Sequence, residues 1–280
     1  MKAGTRRVAA TEQPSADLDS GLTVTTHGPV DLTTTARAAR QIGNVLRGHG
    51  ISDGRVRVTA ASDAGAQQLI QLNCHRHHEP IRIQIAGPRE FAAAIAAERL
   101  DRLLTRLDSA NATMRCWPDP SRPALAVVTG PRRIVRRKRC TLATVDVETA
   151  VRVMDAMDYD VELFTDAETG EDAIVYWAGP LGVRLARQHR MQPPTAPHAI
   201  AVSVSSRPAL QLTDLEAADR LCSYGLPHLF FSAADDRRGR LLYRRHDGDL
   251  TIVEPMSSPG TPQPGPRPTS RPAAQTGMDS

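Results

Sequence analysis

Residues 163–182, "LFTDAETGEDAIVYWAGPLG", read as strand, acidic turn, strand; residues 230–249, "FFSAADDRRGRLLYRRHDGD", read the same way with a basic turn. The correspondence extends upstream. "VDVETAVRVMDAMDYDVELFTDAETGEDAIVYW" and "LTDLEAADRLCSYGLPHLFFSAADDRRGRLLYRR" each give a helix followed by a hairpin. In the helices an offset of 68 aligns Asp146 with Asp214, Glu148 with Glu216, Ala150 with Ala218 and Arg152 with Arg220. In the hairpins an offset of 67 aligns Phe164 with Phe231 and Tyr176 with Tyr243, so one residue is lost between them. Matched elements at near-constant spacing predict a duplicated module. Val147, Val151 and Met154 share the inward helix face of the first copy. Thr213 and Glu216 form a T-x-x-E capping box in the second, and Gly170 supplies the positive φ of a tight turn.

Upstream of the repeat, "LTVTTHGPV" is a β-branched strand, and Asp31 or Thr33 caps a helix to about Gly48 with Ala36, Ala39, Ile42 and Leu46 inward. "GRVRVTAA", "QQLIQLNCHR" and "PIRIQIAG" alternate as strands, the last two joined at a tight "HHE" turn; Pro88 opens a long second helix. The fold class is therefore α+β. A β-α-β-β-β-α domain (residues 21–110) precedes a basic, proline-containing linker (111–137) and two helix-plus-hairpin modules (138–195 and 196–256). Residues 1–20 and 257–280 are polar or Pro/Ser/Gly-rich, without apolar periodicity, and read as disordered tails.

Charge divides the chain. Residues 21–110 carry 11 basic and 8 acidic groups and residues 111–140 carry 8 and 1, whereas residues 141–200 carry 4 and 10. A basic front half on an acidic back half points the front towards a polyanion. No apolar run is long enough to span a membrane, and the N-terminus lacks the apolar segment of a secretory signal. Cys74, Cys116, Cys140 and Cys222 lack C-x-x-C spacing, which fits reduced thiols in a cytoplasm.

Arg37, Arg40, Asn44 and Arg47 fall within about 80° on the first helix, and Arg99, Arg102 and Arg106 within about 60° on the second. Guanidinium forks in such stripes suit phosphate oxygens, although a solvated helix face has the same pattern. Arg132, Arg133, Arg136, Arg137, Lys138 and Arg139 add a basic segment that either lies along a nucleic-acid backbone or simply tethers the acidic modules. "CHRHH" (74–78) sends alternate side chains to opposite faces of a strand and matches no tetrahedral metal spacing. Asp158, Asp160, Asp166, Glu168, Glu171 and Asp172 have the composition of a two-metal centre, but "DAETG" is a hairpin turn. No phosphate loop, nucleophile elbow or Cys/His pair appears, so neither catalysis, metal nor cofactor is expected.

With these residues in view, the front block resembles the ribosome-binding domain of ribosome hibernation promoting factors, the sigma-54 modulation or S30EA-type proteins. "AAI" (93–95) and "RLDRLL" (99–104) carry that likeness in its last helix. The modules resemble the C-terminal module of the long forms. Copy one has Met154, Phe164, "ETGE" (168–171) and "IVY" (174–176); copy two has Phe231, "YRRHDG" (243–248) and "IVEP" (252–255). The resemblance implies a non-catalytic, cytoplasmic factor that binds the small ribosomal subunit and its rRNA and suppresses translation under stress or dormancy. The rRNA contacts expected on that basis are Arg37, Arg40, Arg47, Arg76, Arg82, Arg99, Arg102, Arg106, Arg132, Arg133, Arg136 and Arg137. It implies too that single-copy modules pair between chains. Here the two copies would pair within one monomeric chain, through Phe164, Val175, Tyr176, Phe231, Leu242 and Tyr243. A general RNA-binding regulator, or an adaptor whose acidic modules dock a signalling protein, remains open on the same residues.

Overall fold

In the run Leu22–His27 (β2), Leu22 and Val24 turn inward, as strand alternation requires. The computed structural model describes residues 13–18, 21–60, 67–108, 130–179, 182–195, 200–245 and 248–256. In it β2 lies between β1 (Gln13–Leu18), antiparallel, and β3 (Gly54–Ala60), parallel. β4 (Gln67–Arg76) and β5 (Glu79–Pro88) complete a sheet ordered β1-β2-β3-β4-β5. Their hairpin turns on His77 and His78, with φ of 48° and 70°, the two positive values a type I′ turn needs. Asp31 caps α1 (Leu32–Gly48), accepting the Thr34 N–H at 2.7 Å. α1 and α2 (Ala92–Asp108) cover one sheet face, over Val56, Val58, Ile70, Leu72, Ile81, Ile83 and Ile85. The helices run in the same direction. Arg37 donates to the Glu90 carbonyl before α2 at 3.2 Å, and His49, after α1, lies 3.0 Å from both Asp101 and Asp108.

Three local expectations change. Residues 13–18 form an edge strand rather than part of a tail, because an open strand edge offers backbone partners without needing an apolar side-chain pattern. The other residues of that tail, 1–12 and 19–20, lie outside the described residues, as do 109–110 of the front domain, linker residues 111–129 and all of 257–280. α2 begins at Ala92, since Pro88 ends β5 and the Phe91 N–H bonds back to the Pro88 carbonyl at 2.9 Å. Ala36 is exposed; the buried stripe of α1 runs through Ala38, Ala39, Ile42 and Leu46.

The back half contains β6 (Ile134–Cys140), β7 (Thr144–Val145), α3 (Val147–Ala156), β8 (Val161–Asp166), β9 (Asp172–Trp177) and β10 (Val183–Arg187). There follow β11 (Val202–Val204), β12 (Leu210–Leu212), α4 (Asp214–Ser223), β13 (His228–Ala233), β14 (Gly239–Arg244) and β15 (Leu250–Pro255). The caps fix the internal alignment. Asp146 caps α3 and Thr213 caps α4, and buried Ala150, Val151 and Met154 correspond to Ala217, Ala218 and Leu221. The offset is thus 67 in the helices as in the hairpins, and no residue is lost. The 68-residue match aligned equal letters, Asp146 with Asp214, instead of equal structural positions.

The two modules exchange strands. β11, which leads into the second module, pairs in parallel with β10, the last strand of the first; β6, which leads into the first, pairs in parallel with β15, the last strand of the second. The sheets are ordered β11-β10-β9-β8-β7 and β12-β13-β14-β15-β6. Residues from Ile134 onward, expected in the linker, are therefore an edge strand.

Each module sheet has two covered faces. Phe164 and Val175 lie under α3 with Val151 and Met154, and Phe231 and Leu242 lie under α4 with Ala218 and Leu221. The opposite faces meet through Leu163, Ile174, Phe230 and Leu241, with Tyr176 and Tyr243 packed against them. Of the side chains expected to pair the modules, the structure thus puts the two tyrosines at the seam and Phe164, Val175, Phe231 and Leu242 beneath the helices. A shift of one residue in a strand changes the face. The matched phenylalanines mark the core each copy shares, and the matched tyrosines the surface between the copies.

Candidate nucleic-acid interface

The arginines of the two front helices divide into an exposed set and a committed set. Arg37, Arg40 and Arg47 stand out from α1, with Arg47 holding Asn44 at 2.5 Å, and Arg102 stands out from α2 beside Glu98. These four side chains are exposed along parallel helices, Arg37 while it keeps its bond to the Glu90 carbonyl. Arg76, at the end of β4, is paired with Asp108 at the end of α2. Arg82, Arg99 and Arg106 turn towards the first module.

That contact begins with the way α3 stops. The Tyr159 N–H bonds to the Met154 carbonyl at 2.9 Å and the Asp158 N–H to the Asp155 carbonyl at 3.1 Å, so the chain leaves the helix through Asp158 at φ 52°. Both carboxylates then face the front domain. Asp158 accepts from Arg99 Nη2 at 2.5 Å and from the Gln84 N–H at 3.1 Å, on the open edge of β5. Arg99 Nη1 also bonds the Gln84 carbonyl at 3.0 Å. One carboxylate and one guanidinium thus satisfy a strand-edge amide as a neighbouring strand would. Arg106 pairs with Asp155, and Arg82 lies over the Tyr159 ring, 5.5 Å from its centre. Arg99 and Asp158 are 4% and 3% exposed, so this pair is sealed from solvent.

Arg132, Arg133 and Arg136 are exposed before and within β6. Arg137 is held 2.6 Å from Asp214, and Arg139 bonds Glu254 at 2.9 Å, which fastens the exchanged strand to the second module.

The acidic run of the first hairpin is absorbed structurally. Asp166 bonds Arg187 at 2.5 Å in a fully buried pair, and Glu171 accepts the His189 and Arg190 N–H groups at 2.8 and 3.1 Å. Asp172 crosses to the other module, where it accepts from Arg238 Nε at 2.7 Å and from the Gly239 N–H at 2.8 Å. The hydrogen bond to Asp172 holds the Arg238 pKa above its ordinary value. Here lies the reason for the changed sign of the second turn: an acidic turn and a basic turn meet across the seam. Gly239 fits only as glycine, since a Cβ there would stand 2.5 Å from the Asp172 Cβ. Among the described residues no three His, Cys, Asp or Glu side chains gather as metal ligands. No helix among them is long and apolar enough to cross a membrane.

Sequence reasoning missed Arg55 and Arg57, which alternate with buried Val56 and Val58 on β3 and project from the sheet face opposite the helices. Their alternation was the available signal. It missed the Asp155 and Asp158 contact entirely, because residues 49 and 59 positions from their arginines leave no local pattern.

A front α+β domain with two helices on one sheet face, followed by strand-exchanged tandem modules, defines a chain with a cationic surface and an acidic, paired back half. Residues 129–185, from the approach to β6 through most of β10, match the family "Sigma 54 modulation/S30EA ribosomal protein C terminus". The chain is also 41% identical over 261 residues to the dormancy associated translation inhibitor of Mycobacterium tuberculosis, in strain CDC 1551 / Oshkosh and in strain ATCC 25618 / H37Rv. The match covers 89% of this chain and 93% of each relative. The chain belongs to the sigma 54 modulation/S30EA family of ribosome hibernation factors.

Proposed function

We propose that this protein is a cytoplasmic, ribosome-associated factor that inhibits translation and preserves ribosomes in stress or dormancy, binding rRNA of the small subunit through its front domain. The relatives' name, dormancy associated translation inhibitor, and the S30EA family support this reading, and neither describes an enzyme. The observation that carries the contact surface is the exposed stripe of Arg37, Arg40 and Arg47 on α1, which offers guanidinium groups to a phosphate backbone. Arg102 and the exposed Arg132, Arg133 and Arg136 extend it. The paired modules make the chain a monomer that acts on single ribosomes in this reading.

The test is Arg37→Glu/Arg40→Glu/Arg47→Glu, measured for binding to purified small subunits and for inhibition of cell-free translation. Removing one arginine–phosphate interaction lowers the slope of log affinity against log salt by about one. Weak binding and restored synthesis are expected. Undiminished inhibition by the triple variant refutes the surface, and equal affinity of the wild type for bulk RNA favours a general RNA-binding regulator.

A further inference from the structure

We propose that the first module masks part of the cationic surface: Asp155 and Asp158 occupy Arg106 and Arg99 in the free protein, and RNA phosphate displaces them on binding. This rests on the reading that the front domain binds RNA. Three observations support it.

The first is chemical. Asp158 accepts from Nη2 of Arg99, whose Nη1 goes to the Gln84 carbonyl, and Asp155 accepts from Nη1 of Arg106, each as a phosphate oxygen would. The two arginines share a helix face with exposed Arg102. The mask therefore removes two guanidinium groups from a stripe of three.

The second comes from comparing the copies. At the offset of 67, Asp158 corresponds to Gly225, with φ 60°, and Asp155 to Cys222. Copy two ends its helix with the residue that the left-handed conformation favours. Copy one places an aspartate at φ 52° in the same position, at a local cost of order 1 kcal/mol. The helix stop does not need that carboxylate; the contact with Arg99 and Gln84 does.

The third is the make-up of the seam. Among the described residues its bonds are ion pairs, a carboxylate on a strand-edge amide, Arg82 on the Met157 carbonyl and a cation over an aromatic ring, and Ala156 packs on the front core. Separation exposes little apolar surface and returns both charges to water or phosphate, so such a contact can open. The charge balance agrees: residues 141–200 carry 10 acidic groups against 4 basic.

The experiment compares the full chain with Asp155→Asn/Asp158→Asn at one fixed salt concentration. In the free variant the Gln84 amide is expected to exchange with solvent faster, because its acceptor is weakened. Its affinity for purified small subunits is expected to rise about tenfold, the factor by which a closed form holding roughly nine molecules in ten suppresses binding. If the variant melts, Asp158→Glu keeps the charge but misplaces it by one methylene, and a smaller gain is expected. A chain with both aspartates in place and spin labels on Thr105→Cys and Val153→Cys, at exposed positions, supplies a check with the ion pairs intact: the label distance is expected to grow on subunit binding. Equal binding by wild type and variant, or an unchanged label distance, overturns the mask and leaves the functional reading standing. Absence of binding by both proteins overturns that reading and the mask with it.

Discussion

Arg99 and Arg102 stand three residues apart on one helix, and the helical wheel gives them a single face. Yet Arg99 is 4% exposed in an ion pair with Asp158, while Arg102 is 61% exposed. A wheel reports which side chains share a direction and nothing about what covers them. For that reason the basic stripe was legible in the sequence but its division into free and committed members was not. Glu162 in β8 and His228 at the start of β13 show the same limit, since nothing in the local sequence reports their burial. Burial pushes the Glu162 carboxyl up to about 7 from an ordinary 4.5, and pushes His228 down to about 4. Glu162 therefore contributes full stability below pH 4.5 and loses it as pH rises through about 7. Glu162→Gln, which stays neutral, is expected to abolish that loss. Urea unfolding at pH 5 and pH 8 should show the wild type losing on the order of 2 kcal/mol more than the variant between these pH values. The His228 contribution, lost instead as pH falls below 6.5, is common to both proteins and cancels. Equal pH dependence would mean that Glu162 titrates as if in water.

At the scale of elements, the helices and hairpins of the repeat were legible because each has a local period and a cap or turn. The exchanged strands were not. "IVRRKRC" looks like a charged tether; its seven residues become β6 only because β15, more than a hundred positions later, offers an open edge. The same non-local pairing makes the modules inseparable. Residues 200–256 alone lack β6 and the packing of Leu163 and Ile174 on Phe230 and Leu241. That fragment exposes one apolar sheet face and leaves four strands with an open edge, which a piece of this size cannot offset. Residues 130–256 are expected to melt cooperatively by circular dichroism and residues 200–256 to show no cooperative transition. Similar melting curves for the two would refute the strand exchange as a structural necessity.

For the whole molecule, the polarity of the chain, basic in front and acidic behind, was legible from charge counts, whereas the contact that brings the halves together was not. Nor did the counts say how the duplication sets the oligomeric state. The seam between the modules is asymmetric: Asp172 meets Arg238 and Gly239. Pairing copy one with another copy one would bring two Asp172 carboxylates together in a buried seam and leave Arg238 without its partner. Pairing copy two with copy two would bring two Arg238 side chains together with no Asp172 carboxylate from the facing copy. Like charges so placed cost several kcal/mol, so only unlike copies pair well. Both unlike copies are present in one chain, and a short connector holds them at an effective concentration of around 1 mM. At about 10 µM protein, pairing within the chain is then favoured roughly a hundredfold over pairing between chains. Light scattering at that concentration is expected to give the 30.4 kDa of a single chain. Asp172→Ala with Arg238→Ala removes the asymmetry of charge without adding bulk, and its dimer fraction is expected to rise while remaining minor, because the tether persists. A wild-type mass near twice the chain value would show that the apolar faces of the modules close between molecules and that the tether does not decide the partner.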